Sequence, residues 1–163
     1  MTAPIRWPAE AVWEAVAPLL PGFTVEVLPS IDSTNTELMR RARAGQTEPT
    51  LLVAEQQTAG RGRLGRVWQS DVGASLMLSL GLPMAPRDWS GLSLAVGVSV
   101  AESLQPTLPP LEPGQPPRIG LKWPNDLWLS GDRKLGGILV ETASFVAPQA
   151  VHPASAHGTA TRY

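Results

Sequence analysis

The stretch IGLKWPNDLWLSGDRKLGGILVET, residues 119–142, decides the fold class of this 163-residue chain. It contains three consecutive β-rich segments, IGLKW, DLWLS and RKLGGILVET, and Gly131-Asp132 between the last two is typical of a hairpin turn. Strands that follow one another without an intervening helix favour antiparallel pairing. The end of the chain therefore predicts an antiparallel sheet.

Three helices are predicted before this stretch. The first spans Pro8 to Ala17, where apolar residues recur at helical spacing and proline suits the first turn. The second opens with a capping box, Thr34-x-x-Glu37, and ends at Gly45. The third covers Leu92 to Leu104, with Ser90 as its N-cap.

The remaining strands lie between these helices. TVEVL (Thr24 to Leu28) alternates apolar and polar residues, and TLLVAEQ, VWQS and ASLMLSLGL follow the second helix. Because strands arrive in runs, the order predicts an α+β fold: a mixed, largely antiparallel sheet with helices packed mainly on one face.

Length and local composition indicate one domain over residues 1–163. Residues 106–117 hold six prolines and are expected to form an insertion loop. Residues 143–163 are small and polar and are expected to form an exposed loop at a truncated end. The sequence thus predicts a single, incomplete domain.

Composition excludes several classes of function. A formal charge of −1 argues against a surface dominated by contacts to nucleic-acid phosphates. The chain has no cysteine, and its two histidines, His152 and His157, both lie in the tail. No apolar run is long enough to span a bilayer and the N-terminus is unlike a signal peptide, so a cytoplasmic protein without membrane contact is expected.

The densest chemical signal is the loop Gly60-Arg61-Gly62-Arg63-Leu64-Gly65-Arg66. Glycines let backbone N–H groups approach a ligand, and guanidinium groups bind phosphate or carboxylate, so the loop predicts an anion site. It is neither a P-loop nor a dinucleotide fingerprint, because no lysine follows the last glycine and the GxG lacks its third glycine. A solvated basic turn or an RNA-binding patch remains open on composition alone.

Three further groups of residues could carry chemistry. Lys122-Trp123-Pro124-Asn125-Asp126 places a cation at a strand end, although an ordinary strand-end lysine would look the same. Ser33-Thr34-Asn35 supplies hydrogen-bonding groups at a helix N-terminus, where they could equally serve only as a cap. Gln57 lies near the end of the strand that leads into the glycine loop and indicates nothing by itself.

Taken together, IDSTNTEL, AEQQTAGRGRLGRVWQS and LKWPNDLWLSGDRKLGGILVET closely resemble the catalytic domain of biotin protein ligase, from about Val25 to Thr142. The resemblance implies the fold of that domain and a two-step reaction. Biotin and ATP, with Mg²⁺, give biotinyl-5′-AMP and pyrophosphate, and a lysine of a biotin carboxyl carrier protein then attacks the adenylate. It implies no tightly bound cofactor.

The resemblance also implies roles for individual residues. The catalytic cations are Lys122 and Arg63. The biotin and biotinyl-adenylate site comprises Ser33, Thr34, Asn35, Gln57, Arg61, Gly62, Arg63 and Lys122. The nucleotide part comprises Gly60, Arg66, Trp68, Asn125 and Asp126. Residues that hold a metal are not identified.

The resemblance is incomplete at both ends. About 28 residues precede the first motif, too few for the DNA-binding domain of some family members, so no DNA binding is expected. The Gly-x-Gly-x-Asn strand that follows in the family is missing, which leaves the activity of this chain alone open. The carrier protein of acetyl-CoA carboxylase is the implied partner, and a homodimer is left open. The alternatives are a lipoate–protein ligase and a non-catalytic protein that binds biotin, a carrier protein or RNA.

Overall fold

A computed structural model of the chain describes residues 5–109 and 111–144. Within these residues it forms three α-helices and eight strands. The helices are α1 (Ala9–Val16), α2 (Thr34–Arg43) and α3 (Leu92–Leu104). The strands are β1 (Thr24–Leu28), β2 (Thr50–Ala54), β3 (Gly60–Arg61), β4 (Val67–Trp68), β5 (Met77–Gly81), β6 (Ile119–Lys122), β7 (Asp126–Leu129) and β8 (Arg133–Gly137).

The first sheet has the strand order β1-β2-β5 and is mixed. Strands β1 and β2 run parallel because α2 connects them as a crossover, whereas β2 and β5 are antiparallel. Leu52, Ala54 and Met77 are buried in this sheet. Helix α2 packs on β5, where a side chain at Gly81 would meet Leu38 at 3.5 Å. This packing fixes the N-terminus of α2 beside the sheet.

The second sheet, β6-β7-β8, is antiparallel throughout. Alternation along the strands places Leu121 and its partner Leu127 on the face that packs against α3, where a side chain at Gly97 would lie 2.7 Å from Leu121. Lys122 and its partner Asp126 therefore lie on the opposite face, with Trp128. The sheet thus presents charged and aromatic side chains away from its core.

The arginine-rich loop forms a short ribbon that lies in the sequence between strands β2 and β5 of the first sheet. Strands β3 and β4 pair antiparallel, with Gly60 opposite Trp68, and a 3₁₀ turn at Arg63–Gly65 connects them. Within that turn Leu64 has φ 57° and Gly65 has φ 72°. Glycine adopts such a left-handed conformation without strain, which explains its use in so tight a turn.

The structure confirms the α+β class, although the strands form two three-stranded sheets and one two-stranded ribbon. The hairpin turn at Gly131-Asp132 is also confirmed, since both residues have the positive φ that a tight hairpin turn requires. Where the structure describes residues 106–117, they include no strand or α-helix, and a 3₁₀ turn covers Gln105–Thr107.

Two predicted helix caps are wrong. The N-cap of α2 is Ser33, whose side chain accepts from the N–H of Thr36, and not Thr34. The carboxylate of Glu37 pairs with arginines of its own helix instead of closing a capping box. The N-cap of α3 is Gly91 in a left-handed conformation, because the hydroxyl of Ser90 is bound to Asp88.

Other predicted segments differ in extent or lie outside the description. Only Val67–Trp68 of VWQS form a strand. Most of the predicted exposed loop at 143–163, with His152 and His157, lies outside the described residues. In the part that is described, every helix is too short or too polar to cross a membrane.

Candidate functional site

The N-terminus of α2 forms a buried polar cluster with the ends of two strands. The pairing of β1 and β2 continues as a bridge between Ile31 and Gln57, which places Gln57 beside the helix. Gln57 Oε1 accepts from the N–H of Thr34 at 2.8 Å and from its hydroxyl at 3.1 Å. The Ser33 and Thr34 side chains are buried, so these hydrogen bonds are shielded from water.

Ser79 extends this cluster from strand β5. Its hydroxyl lies 2.8 Å from the Thr34 hydroxyl and donates to Asn35 Oδ1 at 2.9 Å. Register places Ser79 opposite Leu52 on the face that α2 covers, which explains how a serine becomes buried there. The amide of Asn35 is thereby held with its nitrogen directed away from the sheet.

Ion pairs fix α2 from its solvent-facing side. Arg40 binds the carboxylate of Asp32 at 2.8 Å, and Asp32 also accepts from the N–H of Ser33. The Arg40 guanidinium lowers the pKa of Asp32, and Arg41 followed by Arg40 lowers the pKa of Glu37. The acidic partners in turn raise the pKa of both arginines, so the residues around Ser33 keep their charges over a wide pH range.

The arginine loop makes two contacts beside the second sheet, one with the segment that follows β8 and one with the turn between β6 and β7. Arg61 Nη2 lies 3.1 Å from the carboxylate of Glu141, which also accepts from Asn35 Nδ2 at 2.8 Å. Arg63 Nη1 donates to Asn125 Oδ1 at 3.1 Å. Asn125 is anchored in turn by hydrogen bonds to the backbone of Ile138. The three sequence motifs therefore meet in one region.

Lys122 and its neighbours occupy the face of the second sheet that points away from α3. The Lys122 ammonium lies 4.0 Å from the centre of the Trp128 ring, a cation–π contact. Lys134 donates to Asp126 at 2.9 Å and lies 5.6 Å from the ring of Trp68. This contact brings Trp68, from strand β4, to the same face of the second sheet as Lys122 and Asp126.

The structure does not join every predicted residue. Among the described residues, no shared acceptor joins the Lys122 ammonium to Arg61 or Arg63, which bind Glu141 and Asn125 instead. The side chain of Arg66 is exposed, and its carbonyl accepts from the N–H of Gly62 at 2.7 Å. A hollow of about 410 Å³ lies elsewhere, between Trp7, Glu55 and Leu76.

Sequence reasoning missed three residues of the site: Ser79, Lys134 and Glu141. Each contacts at least one predicted residue. A polar residue at a buried position of the strand MLSLG was the signal for Ser79. Lys134 and Glu141 lie inside the stretch that decides the fold, but only the folded chain shows their partners.

No metal site is built from protein carboxylates and histidines in the described part of the chain. It contains no group of three His, Cys, Asp or Glu side chains that could hold an ion. The cations of the region are instead two arginines and two lysines, grouped near amide, hydroxyl and tryptophan side chains. This donor set suits an organic anion with polar and aromatic parts.

Fold and site together define an α+β domain with a glycine–arginine loop beside a β-hairpin, a set of donors that suits an organic anion. The chain belongs to the Biotin/lipoate A/B protein ligase family, whose model matches residues 27–152.

Individual relatives agree with this family. The chain is 42% identical over 125 residues to the biotin--[acetyl-CoA-carboxylase] ligase of Mycobacterium tuberculosis, a match that covers 73% of this chain and 44% of that protein. The chain thus spans less than half of that relative's length.

Solved structures with bound ligands share the fold. A biotin protein ligase from Aquifex aeolicus in complex with biotin and ATP is 34% identical, with a TM-score of 0.56, and the match covers 73% of this chain and 47% of that one. The Leishmania major enzyme in complex with biotinyl-5-AMP is 28% identical, with a TM-score of 0.59 and coverage of 73% and 52%.

Proposed function

We propose that this chain carries the biotin- and ATP-binding part of a biotin protein ligase, which forms biotinyl-5′-AMP and transfers biotin to a lysine of a biotin carboxyl carrier protein. The names of its relatives and the ligands of its structural neighbours support this activity. The observation that carries the proposal is the hydrogen bond from Arg63 to Asn125, which joins the arginine loop to the turn that follows Lys122.

The first reaction step requires cations. The biotin carboxylate must approach the α-phosphate of ATP, and two such charges at about 4 Å repel by about 4 kcal/mol at an effective dielectric constant near 20. Arg61, Arg63 and Lys122 offset this repulsion and stabilise the negative charge that develops as pyrophosphate leaves. No protein nucleophile is needed, which is consistent with a chain that has no cysteine.

The polar cluster at α2 is the proposed site for the ring of biotin. Ser33, Thr34, Asn35 and Gln57 offer hydroxyl and amide groups that can both donate and accept. Because Thr34 and Gln57 already hold each other, their remaining hydrogen-bonding positions are fixed in direction. A preorganised set of this kind selects a small polar ring without a large entropic cost.

The nucleotide is proposed to bind beside the cluster of Trp68, Asn125 and Asp126, with Gly60 and Arg66 on the loop side. The ring of Trp68 offers a surface for adenine. Lys134 adds a positive charge near this surface. Mg²⁺ enters with ATP, as part of the co-substrate.

The arginine loop is proposed to close over the adenylate. Arg61 and Arg63 are exposed, and the loop is held by a ribbon of two residue pairs and by the contacts of Arg61 with Glu141 and of Arg63 with Asn125. A loop with so few contacts opens easily, and bound anions order it. Trypsin cleavage after Arg61 or Arg63 should therefore slow when biotin and ATP are added together.

Biotin-dependent exchange of labelled pyrophosphate into ATP tests the proposed reaction. Arg63→Ala and Lys122→Ala should each reduce exchange by about tenfold or more, because each removes a charge-assisted contact. Arg87→Ala, an exposed arginine in the segment before α3, is the surface-charge control and should leave exchange unchanged. Wild-type exchange rates in both site variants would refute the assignment.

The exchange assay and mass spectrometry together separate the alternative functions. Exchange that responds to lipoate and not to biotin would identify a lipoate–protein ligase. Biotin binding without any adenylate in the mass spectrum would identify a non-catalytic binding protein. Incubation of active protein with a carrier domain, followed by mass measurement of the carrier, tests the transfer step.

A further inference from the structure

Glu141 joins two motifs that are far apart in the sequence. Its Oε2 accepts from Asn35 Nδ2 at 2.8 Å, and its two oxygens lie 3.2 and 3.1 Å from Arg61 Nη2. Asn35 belongs to α2 and Arg61 to β3. Among the described residues, the Arg61 side chain has no other hydrogen-bond partner.

The geometry of this contact leaves Arg61 able to bind a ligand. Glu141 contacts only Nη2, so Nε and Nη1 have no partner in the described part of the chain. The side chain of Glu141 is 28% exposed and that of Arg61 is 47% exposed. An arginine this exposed would otherwise sample many rotamers, and the ion pair restricts it before substrate arrives.

We propose that Glu141 is a positioning residue for biotin, a role that rests on the proposed function. It holds Arg61 and Asn35 at a fixed separation, so that the carboxylate and the polar ring of one biotin molecule meet both groups together. Glu141 touches neither reactant and acts only through these two residues. Substitution of Glu141 should therefore affect the affinity for biotin more than the rate at which the biotin-bound protein reacts.

Steady-state kinetics of pyrophosphate exchange test whether Glu141 affects biotin binding more than turnover. Glu141→Ala should raise the KM for biotin about tenfold, with kcat and the KM for ATP changed less than twofold. Glu141→Gln keeps the size and one acceptor oxygen for Asn35 but loses the charge that holds Arg61, so its KM should be intermediate. Glu102→Gln, an exposed carboxylate on α3, is the matched control and should leave all three parameters unchanged.

A measurement without substrate checks the contact itself. In the free protein, the NMR signals of the Asn35 side-chain amide and the Arg61 Nε–H should shift in both Glu141 variants and not in the Glu102 variant. Folding of each variant is confirmed by thermal unfolding, and the near-isosteric glutamine variant serves if the alanine variant is unfolded.

The outcomes separate the two proposals. Absence of biotin-dependent exchange and biotin binding in the wild-type chain would refute the proposed function, and the role of Glu141 with it. Normal wild-type activity with an unchanged KM for biotin in both Glu141 variants would refute the positioning role alone. A lower KM in the variants would also refute it, because Glu141 would then compete with the biotin carboxylate for Arg61.

Discussion

Gly60 should tolerate no side chain, and Gly60→Ala tests how closely the arginine loop is built. A Cβ at this position would lie 2.6 Å from the carbonyl oxygen of Trp68 and 3.2 Å from Gln57 Nε2. Ordinary carbon–oxygen contacts are about 3.3 Å or longer, so one backbone must move by about 0.7 Å. Both strands of the ribbon are fixed by the pairing of Gly60 with Trp68.

The expected loss of stability follows from this overlap. Overpacking a fitted site costs about 1–3 kcal/mol, and the alanine recovers about 0.4–1 kcal/mol by restricting the unfolded chain. The net loss of about 1–2 kcal/mol should lower Tm by about 2–8 °C in a chain of this size. Because the added carbon also presses on Gln57, which holds Thr34, biotin affinity should fall as well.

Gly62→Ala is the matched control for stability. Gly62 has extended backbone, φ −106° and ψ −175°, and a Cβ there would lie 3.6 Å from its nearest neighbour, an ordinary contact. The Tm of the Gly62→Ala variant should be unchanged or slightly raised relative to the wild type. Thermal unfolding measures the Tm of each variant, and calorimetric titration measures its affinity for biotin. Equal Tm values for the Gly60 and Gly62 variants, with wild-type biotin affinity in the Gly60 variant, would refute the reasoning.

Three other changes test separate features. Lys134→Ala should raise the KM for ATP about tenfold in the exchange assay and leave the KM for biotin unchanged, because the ammonium lies over the Trp68 ring on the proposed nucleotide side. Ser33→Ala removes the N-cap of α2 and should cost about 1 kcal/mol in urea unfolding. Asp32 has a lowered pKa beside Arg40, so its contribution to stability is present above its usual pKa and is lost as the pH falls through the folded-state value. Tm measured between about pH 2 and 6 should therefore fall less steeply in Asp32→Asn than in the wild type.

Local patterns in the sequence were enough to predict the elements of the fold. TVEVL alternates strictly, and strand β1 has the predicted bounds. Helix α3 likewise begins at Leu92 and ends at Leu104 as predicted. The caps were harder to predict, because several hydroxyls compete at each helix start. Ser33 rather than Thr34 caps α2 because the Thr34 hydroxyl is bound to Gln57 and Ser79, contacts that exist only in the folded chain.

The candidate site shows the same difference between local patterns, which can be predicted, and long-range contacts, which cannot. The types of residue that bind an organic anion can be recognised from glycine–arginine spacing and a strand-end lysine, since those properties are local. The partners that orient them cannot, because Glu141 is 80 residues from Arg61 and 106 residues from Asn35 along the chain. Such contacts depend on how the second sheet is placed relative to α2. The periodicity of residues within either element does not predict that placement. A carboxylate beside a cation that is predicted to bind substrate would look unfavourable in the sequence alone. In the folded chain it contacts Nη2 of Arg61 and restricts that guanidinium, so that under the proposed function Arg61 acts with Arg63 and Lys122 on the reacting anions.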